Sequence, residues 1–167
     1  AFRPYGGPDL TNNADAITGR DGGKVIVWVD HITRDYGNSP ARGGANGGDG
    51  GFAEVSGKRV LDFQGAADLG AAQGATGTLL LDPEFIDIQN SGTAPLLPVT
   101  GGVGYEFADA YGGNISIAPS TLNASTANII LQANEDINVN DPVSLTNNGV
   151  GITLQAGGFL NVFGGIT

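Results

Sequence analysis

The feature that most constrains the fold is a gap-free repeat near the end of the chain. Residues 128–139 (NIILQANEDINV) and 151–162 (GITLQAGGFLNV) align at a constant offset of 23 residues. Isoleucine, leucine, glutamine, alanine, asparagine and valine recur in the same places, and Ile137 is matched by Leu160. A unit of this length cannot bury its own apolar face, whereas stacked copies bury a continuous column. The repeat therefore favours a solenoid.

A looser repeat runs through the first half of the chain. Short apolar runs directly follow the glycines at Gly23, Gly51 and Gly77, so that they recur 26 to 28 residues apart. Second runs, VLDF at 60–63 and FIDI at 85–88, lie between or after them. Alternating patterns of three to six residues predict strands rather than helices. Glycine supplies 29 of 167 residues, which also argues against a helical bundle because glycine destabilises helices.

The repeats predict a stacking register. If each unit is one rung of a parallel β-helix, equivalent residues lie about 4.8 Å apart along the stack. The predicted stacked pairs are Ile129 with Ile152, Leu131 with Leu154, Val139 with Val162, and Asn138 with Asn161. Side-chain amides in such a column form a hydrogen-bonded ladder. The predicted fold class is all-β, a parallel β-helix of roughly six or seven rungs.

Two segments do not follow the period. Residues 91–111 contain two prolines and the aromatic side chains of Tyr105, Phe107 and Tyr111, and we expect an irregular excursion here that carries a binding surface. Residues 1–19 are predicted to form an irregular segment, either a cap on the first rung or an arm that reaches a neighbouring molecule. Residues 20–167 are then a single β-helix domain.

Several strings resemble the large bacterial exoproteins of the filamentous haemagglutinin type, which use two-partner secretion. They are GKVIVWVD at 23–30, ARGGANGGDGGFAEVSGK at 41–58 and GTLLLDP at 77–83, with the NIILQA and GITLQA copies similar to the downstream repeats of that family. The resemblance covers about residues 20–90 and 114–167. It implies a right-handed parallel β-helix, export through an outer-membrane partner, and a role in adhesion or surface structure.

One departure from the family places the chain within the longer proteins. The secretion domain of the family carries Asn-Pro motifs, and this sequence has no Asn-Pro pair. We therefore expect an internal shaft segment, secreted and located at the bacterial cell surface. Because the first residue is not methionine, we expect a piece of a longer precursor.

The charge distribution is uneven. The net charge is −10, yet all seven basic residues lie in 1–59, where seven acids balance them. Residues 60–167 carry ten acids and no lysine, arginine or histidine. This balance disfavours nucleic acid and anionic membranes as partners. The two parts differ enough to favour one orientation of self-association, and the last repeat runs to Thr167 without a cap, so we expect head-to-tail stacking into a filament.

Little in the sequence indicates catalysis, and no catalytic, cofactor-binding or metal-ligating residue is predicted. The chain has no cysteine and a single histidine, His31, which excludes thiolate chemistry and cysteine-ligated metals. Its apolar runs are far shorter than the roughly 20 residues that cross a bilayer, so no membrane insertion is expected. Glycoside cleavage uses a pair of carboxylates, and the sequence has three pairs that could supply one. We interpret them as solvated or turn residues. They are Asp82 with Glu84, Glu135 with Asp136, and Asp62 stacked beside Asp35. Structural calcium at the oxygen-rich stretch 134–141 stays an open alternative.

The expected function is therefore that of a non-catalytic extracellular structural or adhesive protein, with a second copy, a glycan or a cell-surface receptor as partner. The alternative is a polysaccharide-binding or polysaccharide-cleaving β-helix module. Trp28 either stacks on sugars or fills a rung of the helix. The candidate surface and assembly residues are Trp28, Tyr105, Phe107, Tyr111, Asn138 and Asn161.

Overall fold

The structure is a computed structural model that describes residues 14–30, 32–35, 37–57, 60–63, 67–90, 114–123 and 125–167. Within these ranges the regular elements are almost all strands. In chain order the strands are β1 (Lys24–Val29), β2 (Ile32–Asp35), β3 (Phe52–Gly57), β4 (Val60–Phe63), β5 (Thr78–Asp82), β6 (Phe85–Ile88), β7 (Asn114–Ile117), β8 (Asn128–Ala133), β9 (Ile137–Val139), β10 (Ile152–Ala156) and β11 (Leu160–Val162). A short helix, α1 (Pro119–Asn123), lies between β7 and β8.

The strands form three sheets, and their pairings are parallel. The first sheet has the order β1-β3-β5-β8-β10, the second has the order β7-β6-β9-β11, and β2 pairs with β4 in a small third sheet. The first strand of each sequence repeat joins the first sheet, and the strand that follows it joins one of the other two. None of these sheets closes on itself within the described residues. The prediction of an all-β protein with parallel strands is confirmed.

The predicted register of the sequence repeats is also confirmed. Ile152 pairs with Ile129 and Leu154 with Leu131 in the first sheet. In the second sheet, Val162 pairs with Val139. The looser repeat of the first half behaves in the same way, since β1, β3 and β5 are neighbours. Residues separated by one sequence period therefore lie side by side on adjacent strands.

The core lies between the sheets, and in several strands, such as β1, β6, β8 and β9, every second residue contributes to it. In β8, Ile129 and Leu131 are buried, while Ile130 between them is only half-buried. In β9, Ile137 and Val139 are completely buried. Full burial of one such side chain contributes about 1.5–3 kcal/mol, so these apolar columns hold neighbouring repeats together.

A third side of the molecule is built from segments without strand assignment. Residues 14–16, 40–43 and 68–70 run beside one another and are joined by backbone hydrogen bonds. The Ala14 amide, for example, donates to the Pro40 carbonyl at 2.8 Å. We call these the third-side segments. Sequence patterns did not reveal them, because irregular backbone carries no alternation.

The same arrangement recurs at the other end of the molecule. Residues 143–145 lie beside 165–167, where the Val143 amide donates to Gly165 at 2.8 Å and the Thr167 amide donates to Val143 at 2.9 Å. These two ranges are third-side segments as well. Each repeat whose third side is described therefore passes from the first sheet to a second strand and then to the third side.

The region around the predicted excursion departs from the simple repeat. Residues 91–111 lie outside the described residues, and the chain returns at β7, which pairs with β6 on the side away from β9. The path thus steps back by one level before α1 leads into β8. As a result β5 and β8 are neighbours although their paired residues Thr78 and Asn128 are far apart in sequence. The first sheet consequently has five strands in the described part, fewer than the six or seven rungs predicted.

Glycines occupy corners between strands for two reasons, a positive φ and a close approach of neighbouring backbone. Gly48 has a φ of +100°, a conformation that residues with a Cβ rarely adopt. Gly50 has ordinary φ, but a Cβ there would overlap the carbonyl oxygen of Leu69 on the next level. Residues 14–19 contain no helix or strand. The irregular character of the whole segment 1–19 stays a prediction, because residues 1–13 lie outside the described ones.

Candidate functional site

One end of the molecule, formed by β10, β11 and residues 163–167, leaves apolar side chains uncovered. We call it the tail edge. Leu160 and Val162 continue the columns of Ile137 and Val139, yet they are 48% and 49% exposed. In the described part of the chain, no further strand covers these two side chains.

Two phenylalanines enlarge this apolar surface. Phe159 and Phe163 flank β11 and are 72% and 76% exposed. Ile166, in the neighbouring third-side segment, is also exposed. The sequence comparison missed all three, although the gain of Phe159 over Asp136 between the two copies was a visible signal.

The backbone of the tail edge is equally open. β10 and β11 are the last strands of their sheets, so each has a neighbour on one side only within the described part of the chain. An edge strand presents a row of N–H and C=O groups that can pair with another chain. The tail edge therefore combines apolar side chains with backbone groups suited to a parallel strand.

A polar ladder runs up the outer face of the second sheet to this edge. The Asn138 side-chain amide donates to Asp87 Oδ1 at 2.9 Å, and the Asn161 amide donates to Asn138 Oδ1 at 2.9 Å. The predicted contact between the two asparagines is confirmed, and Asp87 extends it by one level. Because Asn161 uses its NH₂ group in this ladder, its carbonyl oxygen is the acceptor presented at the tail edge.

The opposite end of the first sheet is the edge of β1, which we call the head edge. Val25 and Val27 face inward and are buried, whereas Ile26 and Trp28 face outward and are 55% and 48% exposed. Trp28 is thus on the surface and does not fill a rung in the core, while its role in stacking on sugars stays a prediction. The Lys24 ammonium lies 4.9 Å from the centre of the Phe52 ring.

Many acidic side chains join adjacent repeats rather than forming a reactive site. Asp21 accepts a hydrogen bond from the Asp49 amide at 2.8 Å, and Asp49 accepts one from the Ala75 amide at 2.8 Å. Near the tail edge, Asp136 accepts one from the Phe159 amide at 2.7 Å. A visible sequence signal for these contacts is that Asp21 and Asp49 recur at the repeat interval of 28 residues.

Two of the carboxylates have environments that favour protonation. Burial, and next the nearby charge of Glu54, raise the pKa of Asp82, whose Oδ1 has no hydrogen-bond partner. Burial also raises the pKa of Asp35, against the opposing effect of a 3.1 Å hydrogen bond from the Gly37 amide. The neighbour that acts on Asp82 is therefore Glu54 on β3, where the sequence had suggested Glu84.

The predicted stacking of Asp62 beside Asp35 is wrong by one residue. The register of β2 with β4 pairs Asp62 with Arg34 and Asp35 with Phe63. The register keeps the offset of 28 residues that also relates β1 to β3, whereas Asp35 and Asp62 are 27 residues apart. In the pair of Glu135 and Asp136, the Asp136 carboxylate accepts a hydrogen bond from a backbone amide of the next repeat.

The remaining sequence candidates have mixed outcomes. Over the described ranges, no three carboxylate or histidine side chains lie together in a way that could hold a metal ion. In the oxygen-rich stretch 134–141, Asp141 accepts a hydrogen bond from the Asn90 amide at 2.7 Å. Tyr105, Phe107, Tyr111 and His31 lie outside the described residues.

Among the helices that the structure describes, none is both long and apolar enough to span a bilayer. Neither the family models, the curated proteins nor the solved structures include one that matches this chain.

Proposed function

We propose that this chain is a shaft segment of a secreted bacterial surface protein of the filamentous haemagglutinin type. It acts without catalysis, as a structural or adhesive parallel β-helix whose copies stack head to tail. The strings that resemble this family coincide with β1, β3 and β5 and their glycine corners. A repeated structural surface, and not a cluster of reactive groups, is what the described residues offer.

The proposed β-helix follows from the path of the chain. Where its third side is described, a repeat runs through the first sheet, then a second strand, then a third-side segment, and parallel hydrogen bonds link neighbouring repeats within each sheet. A coil with three such sides buries one apolar column along its axis. Right-handed connections between parallel strands are strongly preferred, which supports a right-handed coil.

The tail edge is the observation that carries the proposed self-association. Leu160 and Val162 are the uncovered members of columns that are fully buried one repeat earlier. The same edge ends the first sheet at β10, and a surface that pairs with β10 must supply a parallel strand and an apolar column; β1 with Val25 and Val27 has both. Charge supports the same partner, because every basic residue lies in 1–59 and residues 60–167 have none.

The register of the junction can be stated. Val25, Ala53, Leu79, Ile129 and Ile152 form one continuous column through the first sheet. Extending that column into a second copy places its Val25 on Ile152, which brings the outward residue Ile26 of one copy beside Thr153 of the other.

This contact can be tested by cross-linking, since the chain has no cysteine. The variant Ile26→Cys/Thr153→Cys has its two thiols at opposite ends of the first sheet, so a disulfide between them has to join two molecules. Oxidation is expected to give a ladder of covalent oligomers on a non-reducing gel. Each single variant is expected to stay monomeric, because neither position then meets its own copy.

Two results of the cross-linking experiment would contradict head-to-tail assembly. Covalent dimers of the Thr153→Cys single variant would indicate a tail-to-tail dimer, which is closed and cannot form a filament. A wild type that sediments as a monomer at every concentration, together with a double variant that stays monomeric after oxidation at those concentrations, would refute self-association.

A polysaccharide-directed function is the second candidate, and one observation favours it. Trp28, Ser56 and Asp82 form a row across β1, β3 and β5 in which Trp28 is exposed, Ser56 is buried and Asp82 is half-buried, with Glu54 next to this row. An exposed tryptophan can stack on sugar rings, and a carboxyl of raised pKa beside a second carboxylate is the pairing used in glycoside cleavage. New reducing ends from a panel of acidic and neutral polysaccharides, abolished by Asp82→Asn, would establish cleavage. Glycan retention that is lost in Trp28→Ala would establish binding alone.

A further inference from the structure

The sequence contains two Asn-Gly pairs, Asn46-Gly47 and Asn148-Gly149. Asparagine loses its side-chain amide most readily before glycine, because glycine has no side chain to hinder attack by its backbone nitrogen. Both asparagines are exposed, and both glycines have a positive φ, +135° at Gly47 and +79° at Gly149. The two pairs have the same residues and similar exposure, so a difference in their reactivity has to come from the turns that hold them.

In the first pair, the glycine amide is engaged. Gly47 ends a turn, and its amide donates to the Gly44 carbonyl at 3.3 Å. This turn packs closely against the chain before β1, because the Gly44 amide donates to the Arg20 carbonyl at 2.8 Å and a Cβ at Gly48 would overlap that same carbonyl. The Gly47 nitrogen can turn toward the side chain of Asn46 only after its hydrogen bond opens.

In the second pair, the hydrogen bond that closes the turn comes from a different amide. Gly149 is the third residue of the turn 147–150, in which the Val150 amide donates to the Asn147 carbonyl at 3.4 Å. The φ of +79° is the value that the third residue of a type II turn adopts. Within the described ranges, the Gly149 amide donates no hydrogen bond. Its nitrogen can therefore approach the neighbouring side chain without breaking one of these contacts.

The ends of this second turn are held on the stack. The Asn147 side-chain amide donates to the Ser125 carbonyl at 2.8 Å, and the Gly151 amide donates to Asn128 Oδ1 at 2.9 Å. These contacts lie on either side of the Asn-Gly pair and do not include it. A reaction at the tip of the turn can therefore take place while the stack stays folded.

We propose that Asn148 is a site of spontaneous modification, at which the folded protein converts its own asparagine to aspartate or isoaspartate. The Gly149 nitrogen attacks Asn148 Cγ, the bond between Cγ and Nδ2 breaks, and ammonia leaves with the proton of the attacking amide. Water then opens the succinimide ring at one of its two carbonyl carbons, which gives aspartate or isoaspartate. Nothing is oxidised or reduced, and water is the co-reactant.

The product changes both charge and backbone at this turn. It adds one negative charge to residues 60–167, which carry ten acids and no basic residue. Isoaspartate also lengthens the main chain by one carbon atom just before β10. Older molecules would thus differ from newly made ones at a defined corner of the stack, and this modification depends on neither self-association nor glycan binding.

Peptide mapping by mass spectrometry follows both asparagines in one sample of the wild-type protein. At neutral pH and physiological temperature, we expect Asn148 of the folded protein to react at least about fivefold faster than Asn46, because the Gly47 hydrogen bond has to open first. In concentrated urea both turns are lost, so the two asparagines should react at similar rates. Equal rates in the folded protein, or a slower or absent reaction at Asn148, would overturn the proposal.

Two variants assign the modified form to one turn. Asn148→Gln should remove most of the acidic form that anion-exchange chromatography resolves in aged protein, because the longer side chain closes a less favoured ring. Asn46→Gln is the matched control and should leave that acidic form unchanged. An acidic form that persists in Asn148→Gln and disappears in Asn46→Gln would contradict the assignment.

Discussion

At the scale of single residues, polar side chains that are buried or half-buried differ in whether their hydrogen bonds are satisfied. Asn138 makes hydrogen bonds to the level on each side of it, through Asp87 and Asn161. Asp35, in contrast, is buried with one carboxylate oxygen that has no partner. The first arrangement stabilises the stack, and the second costs stability when the carboxyl is charged.

Asp35 gives a prediction for the pH dependence of stability. Its folded-state pKa is raised by burial, so the folded protein binds the proton more tightly than the unfolded chain does. Stability from this group is full below the unfolded pKa, about 4, and falls as the pH rises through the folded pKa. Asp35→Asn is expected to remove that loss and to raise the free energy of unfolding at pH 7 by about 1 kcal/mol.

Denaturant unfolding at pH 4 and pH 7 measures this effect. Asp68→Asn is the matched control, because its carboxylate is exposed and its loss should change little. An Asp35→Asn protein that is less stable than wild type at pH 7 would contradict the argument.

The asparagine ladder gives a second prediction at this scale. Asn138→Ala leaves Asp87 and Asn161 without the amide that joins them, and we expect a loss of about 1–2 kcal/mol in unfolding free energy. Asn140→Ala, at an exposed neighbouring position, is the control. Equal stability of the two variants in urea titrations would show that the ladder contributes nothing.

At the scale of elements, the inward column of each strand determines stability. Leu131 of β8 is fully buried and has paired strands on both sides. Leu131→Ala is expected to cost about 2–5 kcal/mol through lost burial and a cavity. Thr153→Ala, on the outward face of β10, should cost less than about 0.5 kcal/mol. Thermal unfolding of both variants measures the contrast, and similar losses would mean that β8 does not have this inward face.

The elements also show what a sequence can predict and what it cannot. The pairing of β8 with β10 and of β9 with β11 followed from a 23-residue repeat in which apolar side chains recur. The backward step of β7 did not, because alternation identifies a strand but not its neighbour in the sheet. The exposed Phe159 and Phe163 were missed for a related reason, since a repeat shows which residues share a column and not whether another level covers it.

At the scale of the whole molecule, the two ends of the stack are chemically different. The tail edge exposes Leu160, Val162 and Phe163 on a part of the chain that has no basic residue. The head edge has Lys24 at the start of β1, and the third-side segment 40–43 of the same repeat carries Arg42. An interface between unlike ends does not close, so it extends into a fibre.

A charged residue in the tail edge is expected to stop this extension. Val162→Asp places a carboxylate in the uncovered column, where stacking would bury it at a large cost. In the isolated molecule, Val162 is half exposed, so folding should tolerate the change. We expect an unchanged circular dichroism spectrum and at least a tenfold rise in the concentration needed for assembly. Gln132→Asp, on the outward face of β8 and away from both edges of the first sheet, is the control.

Electron microscopy of the concentrated wild-type protein tests the central proposal most directly. Head-to-tail stacking predicts unbranched filaments with parallel strands across the axis, an axial strand spacing of about 4.8 Å, and a subunit repeat on the order of 25–30 Å from five or six such levels. Val162→Asp should show none of these. Wild-type images with only dispersed short particles at every concentration would contradict the account.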